Sequence, residues 1–313
     1  MTDHLLTKDL AAAAFSASQP PVLTVTAGAG DRITFETDDL AYAQMEEFGD
    51  LARVTATINP VTGPVFVEGA EPGDVLAVTI HAIDLAEQGW SVSIPGAGAL
   101  AARMGPDFFV RRIPVVDGRA QLTPTIDCAV APMIGCLGVA PADRDGSTVM
   151  PTLPTGGNMD LTDAAPGTTV YLPVQVPGAL LSVGDLHAVM ARGESSFVAI
   201  EIAGRATLSV DVVKGRSIRG PQLDTGLEYV CVGLGDPVQD SITMAYESLF
   251  SVLVDERGWD PHDAYVVMSA LAPTELGGPT GSVDPDPLHP FRPVGAVTLA
   301  RIAKDVLEAG ARR

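Results

Sequence analysis

Residues 21–36 read Pro21-Val22-Leu23-Thr24-Val25-Thr26-Ala27-Gly28-Ala29-Gly30-Asp31-Arg32-Ile33-Thr34-Phe35-Glu36, two stretches of alternating apolar and polar residues separated by a Gly/Asp turn. Alternation with period two puts every second side chain on one face, the pattern of a half-buried strand. The pair of stretches predicts a β-hairpin. Similar segments follow at 65–67, at 75–83 after the turn Glu71-Pro72-Gly73-Asp74, and at 169–176, so strands should dominate the first two thirds of the chain. A short echo, Pro72-Gly73-Asp74-Val75 against Pro177-Gly178-Ala179-Leu180, shares turn chemistry but is too brief to establish a repeat.

The pattern changes after about Gly235. Ile242, Tyr246, Leu249 and Leu253 recur at spacings of four, three and four, which places them on one helical face. Asp260-Pro261 is a helix start, with an N-cap carboxylate followed by proline at the first helical position, and that helix should run through 264–270. A last helix is expected at 299–307. Between them, residues 277–290 are rich in Gly, Pro and Asp and form a loop long enough for a lid or an exposed tip. No composition break marks a linker. The expectation is one α+β unit over 1–313, mainly β, with a β-rich body at about 20–235 and a helical C-terminal part at about 236–313.

Bulk properties narrow the function. Hydrophobic residues make up 46% of the 313 residues and charged residues 19%, a globular balance, while aromatics are only 5%, so the core must be built from Val, Leu, Ile and Ala. The formal charge of −20, from 39 acidic and 19 basic residues, argues against nucleic acid; the pairs Arg111-Arg112 and Arg312-Arg313 are too short to track phosphates. No apolar run reaches the roughly 18–20 residues that span a bilayer. The start of the chain carries Asp3 and Asp9 and lacks the basic, apolar pattern of a signal peptide, so a cytoplasmic location is expected. Cys128, Cys136 and Cys231 show neither disulfide nor zinc-cluster spacing.

Chemistry-bearing residues concentrate between Gly156 and Glu194. Gly156-Gly157-Asn158-Met159-Asp160 sets a carboxylate two residues beyond an amide and directly after a diglycine that permits close backbone approach, which makes Gly157 and Asn158 candidates for substrate contact. Further on, Asp185-Leu186-His187 is an Asp-x-His pair, and in extended backbone residues two apart project from the same face. A carboxylate and a neutral imidazole suit zinc or another divalent ion that polarises a carbonyl or acidifies water. Glu194 follows as a candidate general base. Each residue also has a plain structural reading: Asp-x-His arises by chance, Asp beside Gly serves turns, and a loop Glu is usually solvated. What separates these from chance is that Asp160, Asp185, His187 and Glu194 fall within one short stretch that is largely apolar and Gly-rich.

Cys136, between Gly135 and Gly138, offers a competing thiolate nucleophile, although Ile134, Leu137 and Val139 make an inert buried thiol the simpler reading. His81 lies in an alternating segment with Trp90 nearby, and His4, His262 and His289 fall in terminal, helix-start and loop contexts.

The run Gly156-Gly157-Asn158-Met159-Asp160, with Pro177-Gly178-Ala179-Leu180-Leu181-Ser182-Val183-Gly184-Asp185-Leu186-His187 and Gly193-Glu194, resembles the acetamidase/formamidase family. The resemblance extends to Phe35-Glu36-Thr37, to the run from Asn59-Pro60-Val61-Thr62 through Asp74, and to Met133-Ile134-Gly135-Cys136-Leu137-Gly138. It implies a β-sandwich-like body and metal-dependent hydrolysis of formamide, acetamide or a related short amide to ammonia and a carboxylate. Asp160, Asp185 and His187 would then be metal ligands and Glu194 the catalytic base, with Glu36 a further catalytic candidate. Zinc is the expected ion, with calcium and manganese as alternatives. A small amide is the expected partner, with homo-oligomers expected as well and neither nucleic acid nor membrane. The chain departs from the family pattern at Ala191-Arg192-Gly193-Glu194, where the family shows an acidic Gly-Asp-Gly-Glu run. Arg192 could there bind a substrate carboxylate or face solvent. The segment 270–276 is also less polar than the family pattern. Two other readings stay open, a hydrolase of a carbamoyl or urea-like compound and a non-catalytic protein that binds a small amide or a metal.

Overall fold

A computed structural model describes residues 2–150, 152–278 and 296–310. Its pairings join 18 strands into one large, mostly antiparallel sheet, with a second sheet of two short strands. The mainly β body predicted from alternation is therefore present. The pairings trace one connected sheet rather than two separate layers, so the sandwich finds no support in them.

The backbone of this sheet is the long strand Val75–Ser93, paired antiparallel along most of its length with Glu201–Val213. The opposite edge of Glu201–Val213 is divided between two partners. Arg205–Leu208 pair with Glu36–Ile33, whereas Glu201 and Ile202 pair with His187 and Leu186 of the strand Leu181–His187. That strand continues the sheet outward through Met133–Gly138 on one side and Val61–Glu68 on the other. Met133–Gly138 in turn pairs with the short Gly156–Asn158.

Residues 21–36 do not form the expected hairpin. Leu23–Thr26 and Arg32–Glu36 are both strands, but the first runs parallel to Val65–Glu68 and the second lies between Asp3–Leu6 and Arg205–Leu208. Alternation identified the strands; it carries no information on partners many residues away. Ile33 and Phe35 point into the main core with Leu76, Val78 and Ile80, all at 0% exposure. Burying one such side chain contributes about 1.5–3 kcal/mol.

The C-terminal third is mixed rather than helical. Val238–Ser251 forms the first expected helix and continues as a wider turn through Val252–Glu256. Pro261–Leu271 forms the second, and the Asp260 carboxylate accepts hydrogen bonds from the His262 and Asp263 amides as the N-cap reading required. The last expected helix is half strand: Ala296–Ala303 is extended and only Lys304–Gly310 is helical. Eight residues, Ala296 to Ala303, pair with Gly235 to Glu228, and with both faces buried the apolar run lost the period that separates strand from helix. The loop expected at 277–290 lies outside the described residues apart from Gly277 and Gly278.

Candidate metal and catalytic centre

The strands Met133–Gly138 and Leu181–His187 are buried at every residue. A strand wrapped on both faces should be continuously apolar, so Asp185 and His187, 6% and 1% exposed, are out of place on packing grounds alone. Asp185 has φ +57, which breaks the simple i, i+2 projection assumed for an extended pair. The two side chains still meet, with His187 Nε2 3.5 Å from Asp185 Oδ2.

Two turns deliver the remaining predicted acids. After Gly156–Asn158 the chain bends, the Met159 amide donating to the Gly135 carbonyl at 3.0 Å, and Asp160 takes φ +46. Gly156 itself needs φ +90, and a Cβ there would lie 2.4 Å from the Leu137 carbonyl, so the approach to the neighbouring strand requires glycine. Glu194 closes a turn through its amide to the Ala191 carbonyl at 3.0 Å, with φ +40. Left-handed backbone at a non-glycine residue costs roughly 1–2 kcal/mol, and three of the clustered acids adopt it. Such conformations gather where surrounding structure holds a side chain in a required place.

Asp160, Asp185 and His187 each place a ligand atom within 4.8 Å of the others, and so do His187, Glu194 and Glu201. Glu201 was missed in the sequence. It stands opposite His187 in the ladder, 3% exposed, with Oε2 3.3 Å from His187 Nε2 and Oε1 accepting from the Ala199 amide at 2.9 Å. Its only sequence signal is an acid between Ile200 and Ile202. Gly135 was also missed as a site residue. A Cβ on it would lie 2.4 Å from Asp185 Oδ2 and 2.6 Å from Asp160 Oδ1, so its missing side chain is the floor on which both carboxylates rest. Tyr42 completes the wall; it is buried, and its hydroxyl donates to Asn59 Oδ1 at 2.9 Å.

Four buried carboxylates face one imidazole, and an excess of buried charge costs several kcal/mol unless protons or a cation offset it. The protonation equilibria show that pressure. Burial, with help from Asp185 and Glu201 and against the pull of His187, pushes Asp160 up to about 8. Burial and the Asp160 carboxylate drive Glu194 well above the usual range, and burial also raises Glu201. Burial alone would lower His187, but Glu201 and Asp185 outweigh it and hold its pKa well above the ordinary value.

Whether the residues fit a cation can be tested on their donors. Asp160 Oδ1 and His187 Nδ1 are buried without a hydrogen-bond partner, an expensive condition for polar atoms. Carboxylate oxygens and an imidazole nitrogen converge in a space that a single methyl group would fill. A divalent cation satisfies the orphaned oxygen and the excess charge together, and this donor set suits zinc or manganese.

Other predicted residues are placed elsewhere. Glu36 turns to Arg205, Oε1 to Nη2 2.6 Å, and does not join the cluster. The Arg192 guanidinium grips Asp163, with its side chain 30% exposed. Asn158 is 5% exposed and accepts the Cys136 thiol on Oδ1 at 3.1 Å, and Gly157, at φ +123, continues the close-approach backbone. Cys136 donates equally to the Thr148 carbonyl at 3.1 Å, and burial beside Asp185 and Asp160 pushes its thiol well above its ordinary pKa, so it is not a poised nucleophile. His81 bonds to Ser209, and Trp90 donates to Asp39. His289 lies outside the described residues.

Known proteins resemble this chain in sequence and in fold. The model of the acetamidase/formamidase family matches residues 15–144 and 117–284. By sequence, the chain is 30% identical over 261 residues to an acetamidase of Mycolicibacterium smegmatis, a match covering 63% of this chain and 64% of that one. Another sequence relative is matched over 54% of its length, so the chain spans between about half and two thirds of these relatives. Among solved structures, a predicted acetamidase/formamidase from the thermophile Thermoanaerobacter tengcongensis superposes with a TM-score of 0.87 at 28% identity, covering 100% of this chain and 99% of that one. An acetamidase from Bacillus halodurans gives 0.85 at 28% identity, covering 98% and 99%. The chain belongs to the acetamidase/formamidase family.

Proposed function

We propose that the protein is a metal-dependent amidase that hydrolyses short linear carboxamides to ammonia and the corresponding carboxylate. The observation that carries this reading is the buried set of Asp160, Asp185, His187, Glu194 and Glu201 gathered about one imidazole, with Asp160 Oδ1 lacking a hydrogen-bond partner. Family membership and the names of the relatives, acetamidase among them, point to the same bond.

Asp160, Asp185 and His187 would hold the cation, with Glu201 and Glu194 gathered at the same histidine. Bound there, a divalent ion supplies Lewis acidity, polarising a carbonyl and lowering the pKa of water. The residues then divide the proton work. Glu194, whose burial makes it a stronger base than an ordinary carboxylate, takes the proton of the attacking water and returns it to the leaving nitrogen. Glu201 Oε2 lies 3.3 Å from the same His187 Nε2 that faces Asp160 and Asp185, so it would serve as a further carboxylate for the ion. Zinc is the first choice of ion, with manganese and calcium as alternatives.

Replacing Glu194 with Gln tests the assignment. Zinc affinity should change by less than about tenfold while turnover of acetamide falls about 100-fold or more. Turnover close to wild type would remove Glu194 from the base role. Ammonia release from urea and carbamoyl compounds, run beside acetamide, separates the amidase reading from its nearest relative in chemistry.

A further inference from the structure

Asp163 lies three residues after Asp160, and Arg192 lies two before Glu194. Arg192 meets Asp163 as a fork, Nη1 to Oδ2 at 2.6 Å and Nη2 to Oδ1 at 3.1 Å. Arg301 reaches the same carboxylate from the strand Ala296–Ala303, Nη2 to Oδ2 at 3.0 Å, and its other terminal nitrogen meets Glu228 at 2.6 Å. Glu275 Oε2 closes the group, 3.4 Å from Arg192 Nε and 3.3 Å from Arg301 Nη2. The side chains of Asp163 and Arg301 are each 8% exposed, and that of Arg192 is 30% exposed. Burial alone would raise the Asp163 carboxyl, yet the two arginines hold it below its usual range.

Backbone contacts bind the same segments. The Gly193 amide donates to the Gly277 carbonyl at 3.3 Å, and a Cβ on Gly278 would lie 2.6 Å from the Met159 carbonyl. The turn carrying Asp160, the turn carrying Glu194 and the segment 274–278 therefore meet at one charged junction.

We infer that the Arg192–Asp163–Arg301 junction is a positioning clamp, which locks the Asp160 turn against the Glu194 turn and so sets the spacing of these two buried acids. The inference rests on the proposed cation reading for its consequence, but the clamp itself is a property of the protein alone. None of its three members enters the cluster. A bidentate arginine–carboxylate pair fixes orientation as well as distance, which a lysine cannot reproduce. Both locked acids hold left-handed backbone, a conformation that persists only when its surroundings over-determine it.

The test uses the full-length Arg192→Ala, Arg192→Lys and Asp163→Asn proteins, with Arg219→Ala as the control because Arg219 forms an exposed pair with Glu247 far along the chain. Zinc alone is titrated against a competing chelator, and hydrogen exchange is followed on the metal-free proteins. Outer-shell partners of metal ligands typically carry 10–100-fold in affinity; Arg192→Ala and Asp163→Asn should each lose about tenfold or more, Arg192→Lys less, and Arg219→Ala nothing. Exchange should rise in Arg192→Ala at both 156–164 and 190–197. Wild-type zinc affinity in Arg192→Ala and Asp163→Asn, or faster exchange confined to 190–197, would overturn the clamp. Should wild type itself bind no zinc, the cation reading fails, and the exchange pattern still decides whether the clamp exists. Arg192→Ala, at a partly exposed position, covers the case in which Asp163→Asn fails to fold.

Discussion

His187 and Glu201 face each other across neighbouring antiparallel strands, Nε2 3.3 Å from Oε2, at the point where the sheet divides between two partners. Directly opposed residues share a face of the sheet, so this pair ties the imidazole to the long central strand. Glu201→Gln keeps the shape and removes the charge. Zinc affinity should fall about tenfold or more, because Glu201 meets the same Nε2 that faces Asp160 and Asp185 and would be lost as a charged oxygen beside the ion. Unchanged affinity by competition titration would show that Glu201 plays no part in holding the ion.

Gly135 sets the depth of the site. In Gly135→Ala the added methyl would stand 2.4 Å from Asp185 Oδ2 and 2.6 Å from Asp160 Oδ1, closer than real contacts allow, so both carboxylates must move. The variant should fold with a near-native circular dichroism spectrum and lose measurable zinc binding. Retention of binding would place the cation away from this floor.

The Cys136 thiol donates to Asn158 and Thr148 and is held protonated by burial. Serine can make the same two bonds. Cys136→Ser should therefore keep turnover within about fivefold, because the thiolate form needed for nucleophilic attack is not populated near neutral pH. A loss of several orders of magnitude with zinc binding intact would restore the cysteine as a nucleophile.

Metal-free protein should lose stability as pH rises from about 4 to about 8. The Asp160 carboxyl binds its proton up to about 8 in the folded chain, against an ordinary 3.8. Over that window the folded state holds more protons than the unfolded state, so the slope of stability with pH is negative. Glu194 and Glu201, also raised, have the same sign. His187, raised above 6.5, contributes stability that is full below that value and is lost as pH climbs through its folded pKa. Calorimetric Tm, read at constant salt between about pH 5 and about pH 8, should fall without metal and fall less with zinc, which replaces the protons. A Tm that rises over this range without metal would contradict the site's charge balance.

Much of the centre was legible because its residues violate their surroundings. Asp160, Asp185 and His187 stand in apolar, Gly-rich sequence, and Glu194 beside Gly193 follows closely, so polarity alone marked them. Glu201 was not legible, since its role comes from pairing with His187 across the ladder, and pairing between strands is absent from local pattern. Gly135 was hidden for the opposite reason: its function is the lack of a side chain, which only the positions of Asp160 and Asp185 reveal. Glu36 followed from the resemblance of its neighbours but found Arg205 across the sheet. Arg192 invited a substrate or solvent reading because Asp163 and Glu275, its partners, are 29 and 83 residues away in sequence. At the C-terminus, Leu299 and Ile302 fit a helical spacing as well as a strand buried on both faces, and the eight-residue pairing with Glu228–Gly235 settled the choice.

The central claim is that the buried acid and histidine cluster holds a cation needed for amide hydrolysis. Its most direct test is ammonia release from formamide, acetamide and propionamide by purified protein before chelation, after chelation and with single ions added back. Activity should disappear on chelation and return with one divalent ion. Undiminished turnover in protein shown by elemental analysis to be metal-free would contradict the claim.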